Sequence, residues 1–336
     1  MDFKSIQALR AIAAIMVLLM HARIAVWWAK DLWDIPFISA HGMTGVSLFF
    51  CISGFIIAHV AEKGDFEPTR FLVKRLWRIA PIYWIVTTLA VLFWYTSNFW
   101  QADVDRLGWL GIVKGYLIFP QLGFPLVNPG WSLEHEVIFY ILAAFLFPIV
   151  RLVGLFVALV ILWVVGRCYG GWDYHIFGYP QLYFAAGIAA YWARNVSPGK
   201  LAPITVFSFL AVLLVLYKYW TIESYAFVLL MALACSSLIA MLVSLESRGL
   251  LFHPWLVNIG DASYSIYIIH WVLLPWIGKM AYHLGGSLEL WRWLAFFICL
   301  AVGLLSRKYV ELPLMRVKFM KSWNSRVKVE SVLSKE

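Results

Sequence analysis

Apolar stretches of about twenty residues recur along this chain, and they constrain its fold more than any other feature. A helix needs about twenty apolar residues, rising 1.5 Å each, to cross roughly 30 Å of hydrocarbon. Only 13% of the 336 residues are charged, against roughly 25% in soluble domains. The sequence therefore predicts an all-α, polytopic transmembrane helical bundle of about ten transmembrane helices. The ten predicted spans lie at approximately 6–27, 43–61, 79–97, 131–149, 151–168, 176–193, 202–219, 224–245, 260–279 and 291–310.

The positive charges are distributed unevenly between the two sides of this bundle. An even number of spans places both termini on one side, and the segments on that side hold nineteen of the 27 Lys and Arg residues. Because cytoplasmic loops carry an excess of Lys and Arg, we expect both termini to be cytoplasmic. The expected division is a transmembrane domain at 1–312 and a basic cytoplasmic tail at 313–336. The short segment 107–120 is expected to lie along the membrane interface.

The net charge of +9 is explained by this topology, so we expect no nucleic-acid partner. The partner implied by composition is the lipid bilayer. Each of the four cysteines stands alone in an apolar stretch, which argues against disulfides and a zinc site, and we expect no metal. The N-terminus lacks a small-residue cleavage site and is interpreted as a retained first helix.

The first predicted span carries Arg10 and His21. Eleven steps of 100° return to within about 20° of the same helix face, so both side chains share one face about 16 Å apart. Ionisable groups within the hydrocarbon are costly and are functional candidates. A neutral imidazole there is suited to act as a general base on a hydroxyl. The alternatives are a hydrogen-bonded buried histidine and an arginine that only anchors the topology.

Arg75 and Arg78, in RFLVKRLWRIAPIYW, lie three residues apart at the cytoplasmic end of the third predicted span. This spacing places both guanidinium groups on one helix face. Each guanidinium group can bind phosphate oxygens in a bidentate geometry, so the pair suits a phosphorylated ligand. A positive-inside flank has the same appearance, so that alternative stays open.

The motif WSLEHEVIFY begins the fourth predicted span at residue 131. Glu136 and Tyr140 share a helix face at a spacing of four. An unpaired carboxylate such as that of Glu136 has a high free-energy cost within a membrane. Glu134 and His135 are nearer the interface and are expected to be solvated.

The motif GDASYSIYIIHW, 260–271, carries a polar and aromatic stripe on the ninth predicted span. Tyr264, Tyr267 and His270 recur about three to four residues apart. His270 lies about 15 Å along its helix, a depth comparable to that of His21, which suggests a shared cavity. Aromatic stripes are more often packing, so the two tyrosines are supporting candidates.

Small residues mark the motif GVSLFFCISGFI, 45–56. Gly45, Ser53 and Gly54 permit close approach of helices in a membrane. We interpret this motif as a packing face.

Taken in order, these motifs and KYVELPL near the end resemble the acyltransferase-3 family of bacterial membrane acyltransferases. The resemblance covers nearly the whole chain, and it is greatest to the stand-alone members that acetylate exopolysaccharide of the succinoglycan type. The family's basic residue and histidine, with ten residues between them, match Arg10 and His21. Its pair of arginines matches Arg75 and Arg78, and its WSLxxE carboxylate matches Glu136.

The resemblance implies an O-acyltransferase of the bacterial inner membrane that uses acetyl-CoA, or a related acyl-CoA, as co-substrate. The acceptor would be a sugar hydroxyl of a surface or exopolysaccharide glycan or of its lipid-linked oligosaccharide precursor. The predicted catalytic residues are His21, Glu136 and His270. The predicted cofactor-binding residues are Arg10, Arg75 and Arg78. The predicted substrate-binding residues are Trp131, Tyr140, Tyr264 and Tyr267.

Two positions depart from the family pattern. Val137 stands where many members carry a second Glu, and Ser47 stands where many carry Asp. A mechanism that needs two adjacent carboxylates is therefore in doubt for this chain. The sequence leaves open the acyl group, the sugar position, and the choice between direct transfer and an acyl-enzyme. A proton-coupled transporter or flippase and a structural subunit of a polysaccharide assembly are the competing interpretations.

Overall fold

A computed structural model describes residues 3–26, 41–64, 66–96, 101–169, 175–219 and 224–316. Every regular element in this part of the chain is helical, as the apolar pattern predicts. In chain order the α-helices are α1 (Lys4–His21), α2 (Thr44–Ala61), α3 (Pro68–Thr96), α4 (Gln101–Tyr116), α5 (Gly130–Cys168), α6 (Pro180–Ala193), α7 (Pro198–Tyr219), α8 (Tyr225–Glu246), α9 (Pro254–Asp261), α10 (Ser263–Leu284), α11 (Leu288–Ser306) and α12 (Leu312–Met315). Short 3₁₀ helices follow α1 and precede α6, and a π-helical turn at Arg307–Glu311 joins α11 to α12.

Seven helical segments in the described residues are long and apolar enough to cross a membrane. They confirm a helical membrane protein, whereas the number of ten spans and the orientation of the termini stay predictions. The predicted spans 131–149 and 151–168 both fall within α5, which is interrupted at Arg151 by a left-handed backbone conformation (φ 58°). The predicted span 176–193 contains the 14-residue α6. The predicted span 260–279 corresponds to α10, whose polar and aromatic side chains lower its hydropathy.

Segment 107–120 overlaps the end of α4. The helix changes direction at Gly108, where φ is +59°, a conformation that glycine adopts without steric cost. Trp109 and Leu110 directly after it are both 68% exposed. The interfacial position of this segment stays a prediction. Of the predicted tail 313–336, residues 317–336 lie outside the described residues.

Close contacts at glycines hold the central helices together. A Cβ added at Gly54 would lie 2.1 Å from the carbonyl oxygen of Phe184, and one at Gly187 would lie 2.0 Å from that of Cys51. A Cβ at Gly45 would lie 2.6 Å from the carbonyl oxygen of Ala13 on α1. The predicted close approach at Gly45 and Gly54 is therefore confirmed, and it brings α2 against α1 and α6 without intervening side chains.

The start of α1 is fixed by a residue from the end of α8. Glu246 accepts hydrogen bonds from the backbone nitrogens of Lys4 and Ser5, at 2.8 and 3.0 Å, and from the Ser5 hydroxyl at 2.5 Å. The first backbone N–H groups of a helix have no partner within the helix, and a carboxylate there also complements the helix dipole. This contact fixes the end of α1 from which Arg10 projects.

Candidate active site

Helices α1, α2, α3, α5 and α10 enclose a cavity with a volume of about 240 Å³, which we call the arginine cavity. Arg10 from α1 and Arg75 and Arg78 from α3 all line it, together with Glu136 and Tyr140 from α5. The structure thus brings together the three arginines that the sequence predicted to bind a cofactor. Other residues of WSLEHEVIFY on the same helix face as Glu136 also line the cavity.

None of the three arginines forms an ion pair with a carboxylate among the described residues. Arg10 Nη1 donates to Gln7 Oε1 at 3.2 Å. The Arg75 guanidinium carbon lies 5.8 Å from the centroid of the Tyr140 ring, a distance at which a cation–π interaction operates. With three guanidinium groups and one carboxylate, the lining is positive and favours an anionic ligand.

Glu136 is held by two hydroxyl donors. Ser53 Oγ donates to Glu136 Oε1 at 2.6 Å, and the Tyr140 hydroxyl donates to the same oxygen at 2.5 Å. The structure does not bring Glu136 to His21; it places Glu136 in the arginine cavity. Ser53, which the sequence marked only as a packing residue, is therefore a polar member of this site.

His21 and His270 form a hydrogen-bonded pair. His270 Nε2 lies 3.1 Å from His21 Nδ1, and His270 Nδ1 lies 3.2 Å from the carbonyl oxygen of Ile266. Since a carbonyl oxygen only accepts, His270 Nδ1 carries a proton, and in a neutral ring its Nε2 is then an acceptor. His270 Nε2 therefore accepts a hydrogen bond from the protonated Nδ1 of His21, and the free lone pair of the His21 ring is then on Nε2. His270 is fully buried, and His21 is partly exposed.

The predicted proximity of the two histidines is matched by this contact, but neither residue lines the arginine cavity. Tyr267 lies between the cavity and the pair. Its ring lines the cavity, and the ring centroid lies 6.0 Å from that of His270. The Tyr267 hydroxyl lies 2.9 Å from Ser132 Oγ, which anchors α10 to the start of α5.

The other predicted substrate-binding residues divide between two places. Tyr140, Tyr264 and Tyr267 line the arginine cavity, and the Tyr264 hydroxyl donates to the carbonyl oxygen of Ile79 at 2.6 Å. Trp131 does not line that cavity. Its ring packs edge-on against His135, with ring centroids 5.7 Å apart.

The expectation that Glu134 and His135 are solvated is wrong. Glu134 is 1% exposed and His135 is 8% exposed, because α6 and the short helix before it cover this face of α5. His175 Nε2 lies 2.7 Å from Glu134 Oε2, and the ring centroids of His135 and His175 lie 4.4 Å apart. His175 was not singled out in the sequence, since its partner lies about forty positions away.

Glu311, within the motif KYVELPL, is also buried. Its carboxylate accepts from Ser265 Oγ at 2.6 Å and pairs with Arg307 Nη1 at 2.7 Å. No role was predicted for this residue from the sequence. A lone Glu two residues before a proline, near the basic end of the chain, carries no local signal of burial.

The comparisons with known proteins agree with this architecture. An acyltransferase domain family (acyltransferase-3) matches residues 3–306, so the chain belongs to this family of acyltransferases. The exopolysaccharide production protein ExoZ of Rhizobium meliloti (strain 1021) is 29% identical over 309 residues, covering 82% of this chain and 90% of ExoZ. The putative membrane-bound transacylase BcsY of Komagataeibacter xylinus is 28% identical over 164 residues, covering 44% of this chain and 39% of BcsY. No solved structure matches the chain.

The family predicted from the motifs is thereby confirmed, and the chain is an acyltransferase in a helical membrane fold. An acyltransferase uses an acyl donor, and the described residues offer two separate polar regions for its reaction. One is the positive arginine cavity, and the other is the pair of His21 and His270 beyond Tyr267.

Proposed function

We propose that this protein transfers an acetyl or other short acyl group from acyl-CoA to a sugar hydroxyl of an exopolysaccharide or its lipid-linked precursor. It does so in the bacterial inner membrane, with ten spans and both termini in the cytoplasm. Membership of the acyltransferase family and the similarity to ExoZ support the acceptor class. The observation that carries the proposal is the hydrogen-bonded pair of His21 and His270, which Tyr267 separates from a cavity lined by three arginines.

The donor binds by its phosphates to Arg10, Arg75 and Arg78. Guanidinium groups bind phosphate oxygens in a bidentate geometry, and none of these three is neutralised by a carboxylate among the described residues. Glu136, held by Ser53 and Tyr140, is the one carboxylate among the residues that line the cavity, and it offsets part of the charge of the arginines without forming an ion pair with them. Glu136, predicted from the sequence as a catalytic residue, therefore acts on the donor site.

The distance between the two regions suits coenzyme A. Arg10 and His21 are eleven residues apart on α1, a rise of about 16 Å. The chain of atoms between the diphosphate and the sulfur of coenzyme A has about the length of four extended residues, or about 15 Å. A donor whose diphosphate contacts Arg10 thus reaches His21 with its thioester. In this proposal the part of coenzyme A between the diphosphate and the sulfur passes Tyr267, whose side chain moves aside when the donor enters.

His21 Nε2 is the general base. It takes the proton of the acceptor hydroxyl as the hydroxyl oxygen attacks the thioester carbonyl carbon. The tetrahedral intermediate then expels the thiolate as the carbon–sulfur bond breaks, and the His21 imidazolium returns the proton to sulfur. His270 fixes the tautomer of His21 by accepting from Nδ1, as an orienting partner does in other acid–base sites. We propose direct transfer, which requires no acyl-enzyme.

The test is acyl transfer by purified protein in nanodiscs, with radiolabelled acetyl-CoA and the lipid-linked precursor. We expect His21→Ala to reduce kcat by about 100-fold or more, since general base catalysis contributes about 10²–10⁴. The Arg75→Ala/Arg78→Ala pair should chiefly raise the Kd for acetyl-CoA. His283→Ala, at an exposed position near the end of α10, is the control and should match wild type.

Two results would contradict the proposal. A folded wild-type protein that neither binds acetyl-CoA nor transfers its acetyl group removes the donor assignment and makes transport the function to test. Full activity of the folded His21→Ala protein removes the assignment of the base and leaves the donor site intact.

A further inference from the structure

The segment from residue 307 to residue 316 has no part in the proposed reaction, although its motif belongs to the family pattern. It consists of the π-helical turn Arg307–Glu311 and the short α12, which pack against α3 and α11. Within it Glu311 is 1% exposed. A buried carboxylate is costly unless it is fully paired, so the partners of Glu311 identify what this residue holds in place.

Each carboxylate oxygen of Glu311 has its own donor. Oε1 pairs with Arg307 Nη1 at 2.7 Å, within the same turn. Oε2 accepts from Ser265 Oγ at 2.6 Å, and Ser265 lies near the start of α10. The carboxylate therefore joins the π-helical turn to α10 by a charge-assisted hydrogen bond, which is stronger than a hydrogen bond between neutral groups.

Ser265 does not itself line the arginine cavity, but it is close in sequence to the residues of α10 that do. Ser263, Tyr264 and Tyr267 all line that cavity, on either side of Ser265 in the sequence. A rotation or shift of α10 at Ser265 would thus move one wall of the cavity.

The same segment also contacts α3, a second helix that lines the cavity. Trp77 Nε1 donates to the carbonyl oxygen of Leu314 at 3.2 Å, and Trp77 lies on α3 between Arg75 and Arg78. The segment therefore contacts α3 at Trp77 and α10 at Ser265, and each of these residues is close in sequence to residues that line the cavity. Glu311 is also one of the charged groups that act electrostatically on Arg10.

From these contacts we propose that Glu311, with Arg307 and Ser265, is a positioning residue for the acyl-CoA site. As a clamp, it holds α10 against α3, so that the cavity residues of α10 keep their position relative to Arg75 and Arg78 on α3. The inference rests on the proposed function for the identity of the donor. Since the segment that carries the clamp contacts α3 at Trp77, between Arg75 and Arg78 in the sequence, and His21 lies beyond Tyr267, loss of the clamp affects donor binding and leaves the chemical step intact.

The test compares KM for acetyl-CoA with kcat at saturating donor, in nanodiscs. We expect Glu311→Gln and Arg307→Ala each to raise KM by about tenfold with little change in kcat, because misplaced binding groups lose affinity before chemistry. Ser265→Ala, which removes one hydrogen bond, should raise KM less. Arg307→Lys should stay close to wild type, since a single nitrogen makes the contact with Glu311.

Glu134→Gln is the matched control. Glu134 is also 1% exposed and also paired, with His175, but it does not line the arginine cavity. An equal rise in KM for Glu134→Gln and Glu311→Gln would overturn the inference, because the effect would then be general loosening of the bundle. If Glu311→Gln does not fold, Ser265→Ala and the comparison of Arg307→Ala with Arg307→Lys carry the test.

Two other results distinguish this inference from the proposed function. Wild-type binding of acetyl-CoA that none of the clamp variants weakens overturns the inference alone. Wild-type protein that binds no acetyl-CoA overturns the donor assignment, and the inference with it.

Discussion

At the scale of single residues, the reactivity of His21 depends on which of its nitrogens carries the proton. The contact from His270 Nδ1 to the Ile266 carbonyl sets the tautomer of His270, and this in turn sets the tautomer of His21. The sequence supplied both histidines and their similar depth. It did not supply the order of donors and acceptors, which depends on side-chain positions on two helices far apart in the chain.

His270→Phe tests this order of protons. Phe keeps a ring of similar size but cannot accept from His21 Nδ1, so His21 loses its fixed tautomer. We expect kcat to fall by about 10- to 100-fold, the usual cost of removing an orienting partner. The KM for acetyl-CoA should not change, because the arginines lie elsewhere. Steady-state kinetics of acetyl transfer measure both quantities.

Trp271→Phe is the control for that variant. The Trp271 ring contacts His21 edge-on, with ring centroids 5.7 Å apart, and makes no hydrogen bond with it. Its kcat should therefore remain near that of wild type. A His270→Phe protein with wild-type kcat would contradict the assigned role of His270.

Also at this scale, Glu136 was predictable from the sequence as a functional residue, but only one of its two hydrogen-bond partners was. Its cost in the membrane identified it as a functional candidate. Its partners Ser53 and Tyr140 come from two helices. Only Tyr140 was predictable, because it lies one helical turn away on the same helix.

At the scale of helices, glycines of α2 and α6 set the position of α2, which lines the arginine cavity. A Cβ at Gly187 would lie 2.0 Å from a carbonyl oxygen of α2, so α2 and α6 are in backbone contact there. The sequence predicted the small-residue face of α2 but not its partner. Gly187 lies in an alanine-rich stretch, which offers no means of choosing between neighbouring helices.

Gly187→Ala should separate these two helices. We expect a loss of about 1–3 kcal/mol in stability, the usual cost of overpacking, because the obstructing atoms are backbone and cannot rotate away. Gly199→Ala is the matched control, since nothing lies within 4 Å of its added Cβ. Thermal unfolding in detergent compares the two. Equal midpoints for both variants would contradict the close contact.

The break in α5 is a second feature of this scale. The apolar pattern predicted two spans that meet near residue 150, and the structure has one element interrupted at Arg151. The sequence signals were Pro148, which removes a backbone donor within the helix, and a charged residue within an apolar run. Pattern and structure agree on the position of the break and differ on whether a loop separates the two parts.

At the scale of the whole molecule, the orientation in the membrane follows from charge and is still a prediction. Single cysteines in a cysteine-free background, treated with a membrane-impermeant thiol reagent, test it. Leu251 precedes α9 and is 84% exposed, and Leu284 ends α10 and is 70% exposed. Leu251→Cys should react only from the cytoplasmic side, and Leu284→Cys only from the periplasmic side. The reverse pattern would place the arginine cavity away from cytoplasmic acyl-CoA and contradict the proposed donor.

The sequence by itself determined that this chain is a helical membrane protein of the acyltransferase family, and it identified the arginines and histidines of the site. Apolar length and charge are properties of contiguous residues, and motif order needs no coordinates. The tertiary structure decided which polar residues meet: it grouped Glu136 with the arginines, paired His21 with His270, and buried Glu134 and Glu311. These contacts join residues from different helices, and helix packing sets such distances, which no spacing along one helix contains.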